Sequence, residues 1–455
     1  MKRSLCVLAT FSLLVGCVWE PPGGGEAKGC LQDVSYADPL TERFGISSHL
    51  EWGAGPTADA YRDFEIGKWD ELGLRAIRRD LQWNAIEPSR GEFDFTRPDR
   101  VVDATEAAGV DLLAILDYGN WWASSSGDST APPDDVVDFG NYAAAVAERY
   151  AGRVRHYEVW NEQNVGINFW HPTEDPVGYA ELLVEASARV RQADPEALVS
   201  FGGVFGPSLL LNTDGETFIR QVAEVLPDFG DHVDLMAFHP YRYPFTAPEF
   251  TEADGQRSLA TEICDMHSLV AELGAADLPL WITELGWHTA MNSFAPGVEP
   301  EVQAAYLVRS ALISFAQGVE RYYWYTFRDS GTATDDQEQR FGLYTFDPDP
   351  SSEPEASPVS ADELETLLTV LGTHRRVRDR SEELGLDDQT WAVELSGGTG
   401  TTLALWTAGE PQHLRVPRSG VGNLVGPRGE EIDLVSQGGA WEIEVSGSPV
   451  YLISE

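Results

Sequence analysis

From about residue 42 onward the chain alternates short apolar runs with helical runs, and this period constrains the fold more than any other feature. The strand-like runs are Arg43 to Leu50, Arg75 to Trp83, Asp111 to Tyr118, Val154 to Glu162, Ala197 to Val204, Val233 to Tyr241, Leu278 to Trp287 and Arg321 to Arg328. Between them lie helical stretches such as Asp59 to Leu72, Val136 to Tyr150, Pro176 to Gln192, Glu216 to Val225, Ser258 to Leu273 and Pro300 to Gln317. Strands that each return through a helix pair in parallel, and this series predicts an α/β fold of the (β/α)8 TIM barrel type. An open doubly wound sheet is the competitor. It calls for a glycine-rich phosphate loop after the first strand, whereas Gly202-Gly203 lies at the fifth. After the Ser/Pro/Glu-rich stretch Pro348 to Pro358, Ala361 to Leu371 reads as the helix that closes the barrel.

Beyond residue 376 the period shortens to two. Trp391 to Leu395, Thr401 to Trp406, His413 to Val416, Glu431 to Val435, Trp441 to Val445 and Val450 to Ile453 are separated by Gly, Pro and Ser turns and predict a small all-β sandwich. Its expected role is packing on the barrel, with sugar binding through Trp391, Trp406 or Trp441 as the alternative. At the other end, Lys2 and Arg3 precede an apolar run from Leu5 to Leu14 and then Leu14-Val15-Gly16-Cys17, a stretch too short to span a bilayer as a mature helix. It resembles a bacterial lipoprotein signal peptide with Cys17 at the lipidated position. That resemblance implies a protein of the cell envelope, lipid-anchored and facing outward. Pro21-Pro22-Gly23-Gly24-Gly25 supplies a flexible spacer. The expected division is therefore signal peptide 1–17, tether 18–40, catalytic barrel 41–375 and sandwich 376–455. Cys30 and Cys264 remain in the mature chain, where an oxidising compartment would let them pair.

Charge narrows the partners. Asp and Glu number 74 against 31 Lys and Arg, a formal net charge of −43 spread along the chain. Such a surface repels phosphate backbones and lacks the basic footprint of nucleic-acid binders. Lysine occurs only at Lys2, Lys28 and Lys68. A salt-adapted or simply soluble exterior explains the excess acid; attraction of a cationic sugar is the functional alternative. Paired His ligands on early strands are missing, since Ser48-His49-Leu50 lacks the second, so neither a catalytic metal nor a cofactor is expected. A monomer is expected.

In barrels of this kind the chemistry sits at the C-terminal ends of the strands. The strand ends here are polar and aromatic: His49 at the first; Arg78, Asp80 and Trp83 on the second; Asp117, Asn120, Trp121 and Trp122 at the third; Trp160-Asn161-Glu162 at the fourth; His239-Pro240-Tyr241 at the sixth; Thr283-Glu284-Leu285-Gly286-Trp287-His288 at the seventh; Trp324 to Arg328 at the eighth. Glu162 and Glu284 can thus face each other across one cleft, as glycosidic bond cleavage requires of its acid and its nucleophile or base. Glu158 shares the face of Glu162 by the period of two and reads as a deeper, hydrogen-bonded interior carboxylate. Trp121, Trp122, Trp170, Trp287 and Tyr243 lie on the surrounding loops, where flat aromatic faces suit sugar rings. Arg242 and Arg328 could meet a charged sugar, or be held in salt bridges.

These residues resemble the clan A glycoside hydrolases, most of all family 39 and its bacterial endo-acting relatives, over roughly residues 42 to 375. The most specific pieces are Trp160-Asn161-Glu162 and Trp281-Ile282-Thr283-Glu284-Leu285-Gly286-Trp287, with Leu74 to Trp83, Ile86-Glu87-Pro88 and Gly91-Glu92-Phe93-Asp94-Phe95 in support. The resemblance implies a retaining hydrolase of a poly- or oligosaccharide, with Glu162 as acid/base and Glu284 as nucleophile. It further implies that Asn161 donates to a sugar hydroxyl, that Arg78 and Tyr241 position Glu284, and that Trp324 forms the floor under the sugar. His239 and His49 are candidate barrel-mouth or sugar-binding histidines. Two alternatives stand beside this reading: a non-catalytic carbohydrate-binding surface protein, and a transglycosylase using the same residues.

Overall fold

The structure, a computed structural model, describes residues 29–454 apart from 52, 207–212, 243–244, 251–256, 292–295, 347–358 and 419. Cys17 and the signal peptide, Tyr243, and the Pro348 to Pro358 stretch lie outside the described residues.

Strand β1 (Asp33–Ser35) precedes a closed parallel barrel of β2 (Phe44–Ser47), β3 (Ala76–Asp80), β4 (Asp111–Leu116), β5 (His156–Asn161), β6 (Leu198–Phe205), β7 (Leu235–His239), β8 (Leu280–Leu285) and β9 (Arg321–Trp324). Each strand falls inside or within one residue of the run expected from the sequence. They read out so directly because a strand covered on both faces is apolar nearly throughout, as β4 (DLLAIL) shows. Ala76, Leu113, Leu235, Trp281 and Tyr323 fill one interior layer. Local chemistry sets the helix starts: Asp135, Asp175, Asp214 and Ser258 each accept from a backbone N–H of the first turn. Gly73 and Gly109, at φ 70° and 64°, end the helices Pro56–Leu72 and Thr96–Ala108 in the left-handed conformation that glycine tolerates. The second of these helices escapes the sequence pattern. Its charged residues dilute the period, and only Pro98, Val101, Val102 and Thr105 are buried.

The C-terminal strands are β10 (Arg376–Asp379), β11 (Thr390–Gly398), β12 (Gly400–Thr407), β13 (Gln412–Pro417), β14 (Gly422–Val425), β15 (Glu431–Ile432), β16 (Val435–Gln437), β17 (Ala440–Val445) and β18 (Val450–Ser454). They form an antiparallel sheet in the order β1-β10-β11-β12-β18-β14-β15 and a smaller one, β13-β17-β16. One face of the larger sheet, with Trp391, Trp406 and Tyr451, joins the core of the barrel and its helices. The other face packs on Leu414, Trp441 and Ile443. All three tryptophans considered for sugar binding are therefore core residues, and Trp391 and Trp406 stack at 5.7 Å. An aromatic of this size buries roughly 150–250 Å², worth on the order of 4–6 kcal/mol at about 25 cal/mol/Å².

Residues 29–40, counted with the tether by composition, are instead part of the folded body. Asp33, Val34 and Ser35 pair with Arg378, Val377 and Arg376 at the edge of the larger sheet. Cys30 is disulfide-bonded to Cys264 on the helix Leu259–Glu272. A three-residue edge strand leaves no compositional trace, because its pairing partner lies more than 300 residues away. Opening the bridge releases a long loop, so Cys264→Ser is expected to lower unfolding stability by about 2–4 kcal/mol. The measurement is the denaturant midpoint, and a wild-type midpoint indifferent to reductant would contradict the bridge.

Candidate active site

Arg78 organises the C-terminal mouth of the barrel. Its Nε and Nη2 donate to Oε2 and Oε1 of Glu158, each at 2.9 Å, and Nη2 also donates to Oδ1 of Asn161 at 2.7 Å. Nη1 donates to Oε1 of Glu284. The guanidinium is buried, so its fork-shaped donors fix three partners on β5 and β8 with little freedom left. Arg79, one residue on, points away to Asp80 and the Leu50 carbonyl, as alternation requires.

The second oxygen of Glu284 accepts from the Tyr241 hydroxyl at 2.9 Å. Burial pushes the Glu284 carboxyl upward, against the opposing charge of Arg78 and the Tyr241 hydrogen bond. For Glu162, burial first and the Glu284 charge second outweigh the more distant charge of Arg78 and push it well above the usual carboxylate range. Of two carboxyls sharing one site the proton therefore rests on Glu162. His239 Nδ1 lies 2.8 Å from Glu162 Oε1 and Nε2 lies 3.0 Å from the Thr283 hydroxyl. Burial, with Arg78 in support, holds this imidazole neutral. Either ring tautomer is satisfied, because the hydroxyl both donates and accepts. One oxygen each of Glu162 and Glu284, together with His239 Nδ1, fall within 4.8 Å of one another.

Local distortion places these groups. Strict alternation would set Glu158, Trp160 and Glu162 on one face. Trp160 and Glu162 instead adopt left-handed φ values of 71° and 50°, a conformation costing about 1–3 kcal/mol per residue that clusters at functional sites. Trp160 turns outward onto Tyr118 and Trp170, while Asn161 and Glu162 reach the cleft. A register shift between Ile282 and Leu285 lets both Thr283 and Glu284 face inward. Gly203 is required by proximity: a Cβ there would sit 2.1 Å from His239 Nε2 and 2.8 Å from Glu158 Oε1.

No protein-family model matches the chain. The endo-1,4-β-xylanase B of Humicola insolens is 24% identical over 292 residues, 60% of this chain and 76% of that protein. Among solved structures, a family 39 glycoside hydrolase from the gut symbiont Bacteroides cellulosilyticus superposes with a TM-score of 0.74 at 24% identity, covering 92% of this chain and 81% of that one. The chain has the fold of the family 39 glycoside hydrolases. A family 39 β-xylosidase from Caulobacter crescentus aligns over 92% of this chain and 98% of its own, with a TM-score of 0.63 at 16% identity.

Within the family 39 fold, the expected residues separate into two groups. Arg78, Asn161, Tyr241 and Glu284 form one network, which Glu158 and Thr283 link to His239 and Glu162. His49 is exposed at the cleft; the protein mass around it, with Arg79 nearby, pushes it downward, and its Nε2 lies 3.4 Å from the Tyr325 hydroxyl. Trp122 is half-buried, its indole N–H donating to the Glu87 carbonyl, and Trp121 is 61% exposed on the same loop.

Trp324 and Trp287 do not belong to the cleft. Both are fully buried and stack on each other at 5.9 Å. Trp324 occupies an outward position of β9, alternating with Tyr323 in the barrel interior. The inward aromatic is the next residue, Tyr325, half-buried beside His49 and Tyr241. Applying alternation from Tyr323 would have found it. Trp170 is likewise core, and Arg242 is buried against Glu262. Tyr118, which accepts from Asn161 Nδ2 at 2.8 Å, lies outside the expected set, and the strand-end acids Asp80 and Asp117 stand together as a pair. Asp117 is buried and pushed well up, by burial first and the Asp80 charge second. Although burial opposes its charge, Asp80 is held at about 2 by Arg79 and by the hydrogen bond with Asp117.

Glu162, His239 and Glu284 could also gather round a cation, but Arg78 already supplies the positive charge to Glu284. A cavity of about 570 Å³ opens at the opposite mouth, lined by Arg43, Asp111, His156, Trp281, Glu320 and Arg321 among others. Its acids and bases pair within it, Arg43 with Glu320 and Arg321 with Asp111.

The raised Glu162 carboxyl has a stability consequence. The folded state holds this proton where the unfolded chain releases it, so stability falls as pH rises from the unfolded value toward the folded one. Glu162→Gln removes that loss. The variant is expected to gain on the wild type by up to about 1.4 kcal/mol per pH unit across this window, measured by urea unfolding at several pH values. A pH-independent difference would contradict the assignment.

Proposed function

We propose that the protein is a retaining glycoside hydrolase that cleaves a β-linked poly- or oligosaccharide by double displacement. The observation that carries this reading is the facing pair Glu162 and Glu284, one oxygen of each within 4.8 Å, the first pushed well up by burial and the second held by Arg78 and Tyr241. Carboxyl groups about 5–5.5 Å apart suit a covalent intermediate, whereas inversion needs about 6.5–9.5 Å to admit water. Glu284 attacks the anomeric carbon while Glu162 gives its proton to the departing oxygen. The new Glu284–sugar ester then yields to water, whose proton returns to Glu162 as the ester bond breaks. A purely carbohydrate-binding protein has no use for one protonated and one clamped carboxyl. Transglycosylation would differ only in the acceptor.

As substrate we propose a xylan-type backbone, supported by the names of similar proteins, an endo-1,4-β-xylanase and a β-xylosidase. Cys17 as a lipid anchor and residence in the cell envelope belong to the same proposal, and metabolic labelling with palmitate tests them: a product without label, cut elsewhere, would reject them.

Glu284→Ala is expected to abolish turnover and, with azide, to give a glycosyl azide inverted relative to the substrate. Glu162→Ala is expected to lose roughly 10²–10⁴-fold on substrates with poor leaving groups and much less on activated ones. Equal losses on both would reject the acid role. Wild type and Glu284→Ala, incubated with a polysaccharide panel that includes xylan and read by mass spectrometry, test the substrate; products from other glycans alone would reject xylan.

A further inference from the structure

The segment after β7 carries Tyr241 and then runs to the helix Leu259–Glu272. Its described part is tied down from two sides. Next to Tyr241, the buried Arg242 pairs with Glu262 at 2.7 Å, and its Nη2 donates to the carbonyl of Phe250 at 2.8 Å and to that of Arg257. Next to Phe250 stands Glu249, whose side chain is 1% exposed. Arg309, on the helix Pro300–Ala316, donates to both carboxylate oxygens of Glu249, with Nε at 2.7 Å from Oε1. The remaining ties come from the sandwich: Trp406 Nε1 on β12 donates to Glu249 Oε1 at 2.8 Å, and Arg309 Nη1 donates to the Gly447 carbonyl at 3.3 Å.

We propose that the β-sandwich is a clamp on the catalytic loop: Trp406 fixes Glu249, Glu249 fixes the Phe250 carbonyl, that carbonyl holds Arg242, and Arg242 sets Tyr241 against Glu284. Trp406 and Glu249 are thus positioning residues acting through Tyr241. The physical basis is that a buried carboxylate keeps its place only while its donors are present, and three N–H groups, Arg309 Nε and Nη2 and Trp406 Nε1, converge on Glu249 from a barrel helix and the sandwich. The inference deepens the hydrolase reading and rests on it for its kinetic consequence, though its geometric consequence stands alone.

Trp406→Phe keeps an aromatic ring against Trp391 and deletes the N–H. With the full chain, kcat/KM is expected to fall by about 10- to 100-fold, the scale of loss that misplacing a catalytic group produces. The acid limb of the pH profile should move upward, because the Tyr241 hydrogen bond favours the ionised form of Glu284. In a Tyr241→Phe background the same substitution should cost less than about 2-fold. An unmoved acid limb, or losses that simply multiply, would overturn the clamp and leave the sandwich a stabilising domain. If Trp406→Phe does not fold, the charge-neutral pair Glu249→Gln with Arg309→Gln gives the same readouts. A crystal structure of the variant decides the geometry whatever the substrate: the Tyr241 hydroxyl should leave hydrogen-bond distance of Glu284, and an unchanged contact would reject the proposal. Absence of turnover in the wild type would instead count against the hydrolase reading.

Discussion

A single buried guanidinium holds the working end of this barrel together. Arg78 joins Glu158 and Asn161 on β5 to Glu284 on β8, and an unpaired charge at such depth would cost several kcal/mol. Its partners are therefore compelled to stay. Because Arg78 hydrogen-bonds Glu284 and only faces Glu162 at a distance, the two facing carboxyls, similar in burial, differ in how far they are pushed up, Glu162 the further. The asymmetry that acid and nucleophile chemistry needs thus follows from where one side chain forks.

The surroundings serve that asymmetry. The Gly203 backbone leaves room for His239 and donates to Glu158 at 2.8 Å. Thr283 braces His239, and Tyr241 completes the shell of Glu284. The Asp80–Asp117 pair behind His49 repeats the pattern on a smaller scale, with one buried acid keeping its proton beside an ionised neighbour. The sandwich reaches the same centre through Glu249 and a loop, so its tryptophans work from inside the core and leave no platform for a sugar.

Much of this was legible in the sequence, and for definite reasons. The barrel strands announce themselves as apolar runs because both of their faces are covered. The carboxyl pair is visible because the barrel puts chemistry at strand ends. The structure departs from the pattern where the period of two breaks. Trp324 looked like the cleft aromatic, yet counting from Tyr323 assigns that place to Tyr325. Glu284 and Asn161 reach the cleft only through a register shift and left-handed residues, which no pattern of residue types encodes.

By itself the sequence determined the class of fold, the order of its elements and which carboxyls stand at the strand ends, since these depend on local periodicity and on position along each strand. The tertiary structure alone decided which carboxyl keeps the proton, which aromatics face the cleft, and that residues 29–40 complete a sheet formed by the far end of the chain. Each of those depends on contacts between residues remote in sequence. Burial and charge at one point in space are sums over neighbours that the linear order does not list.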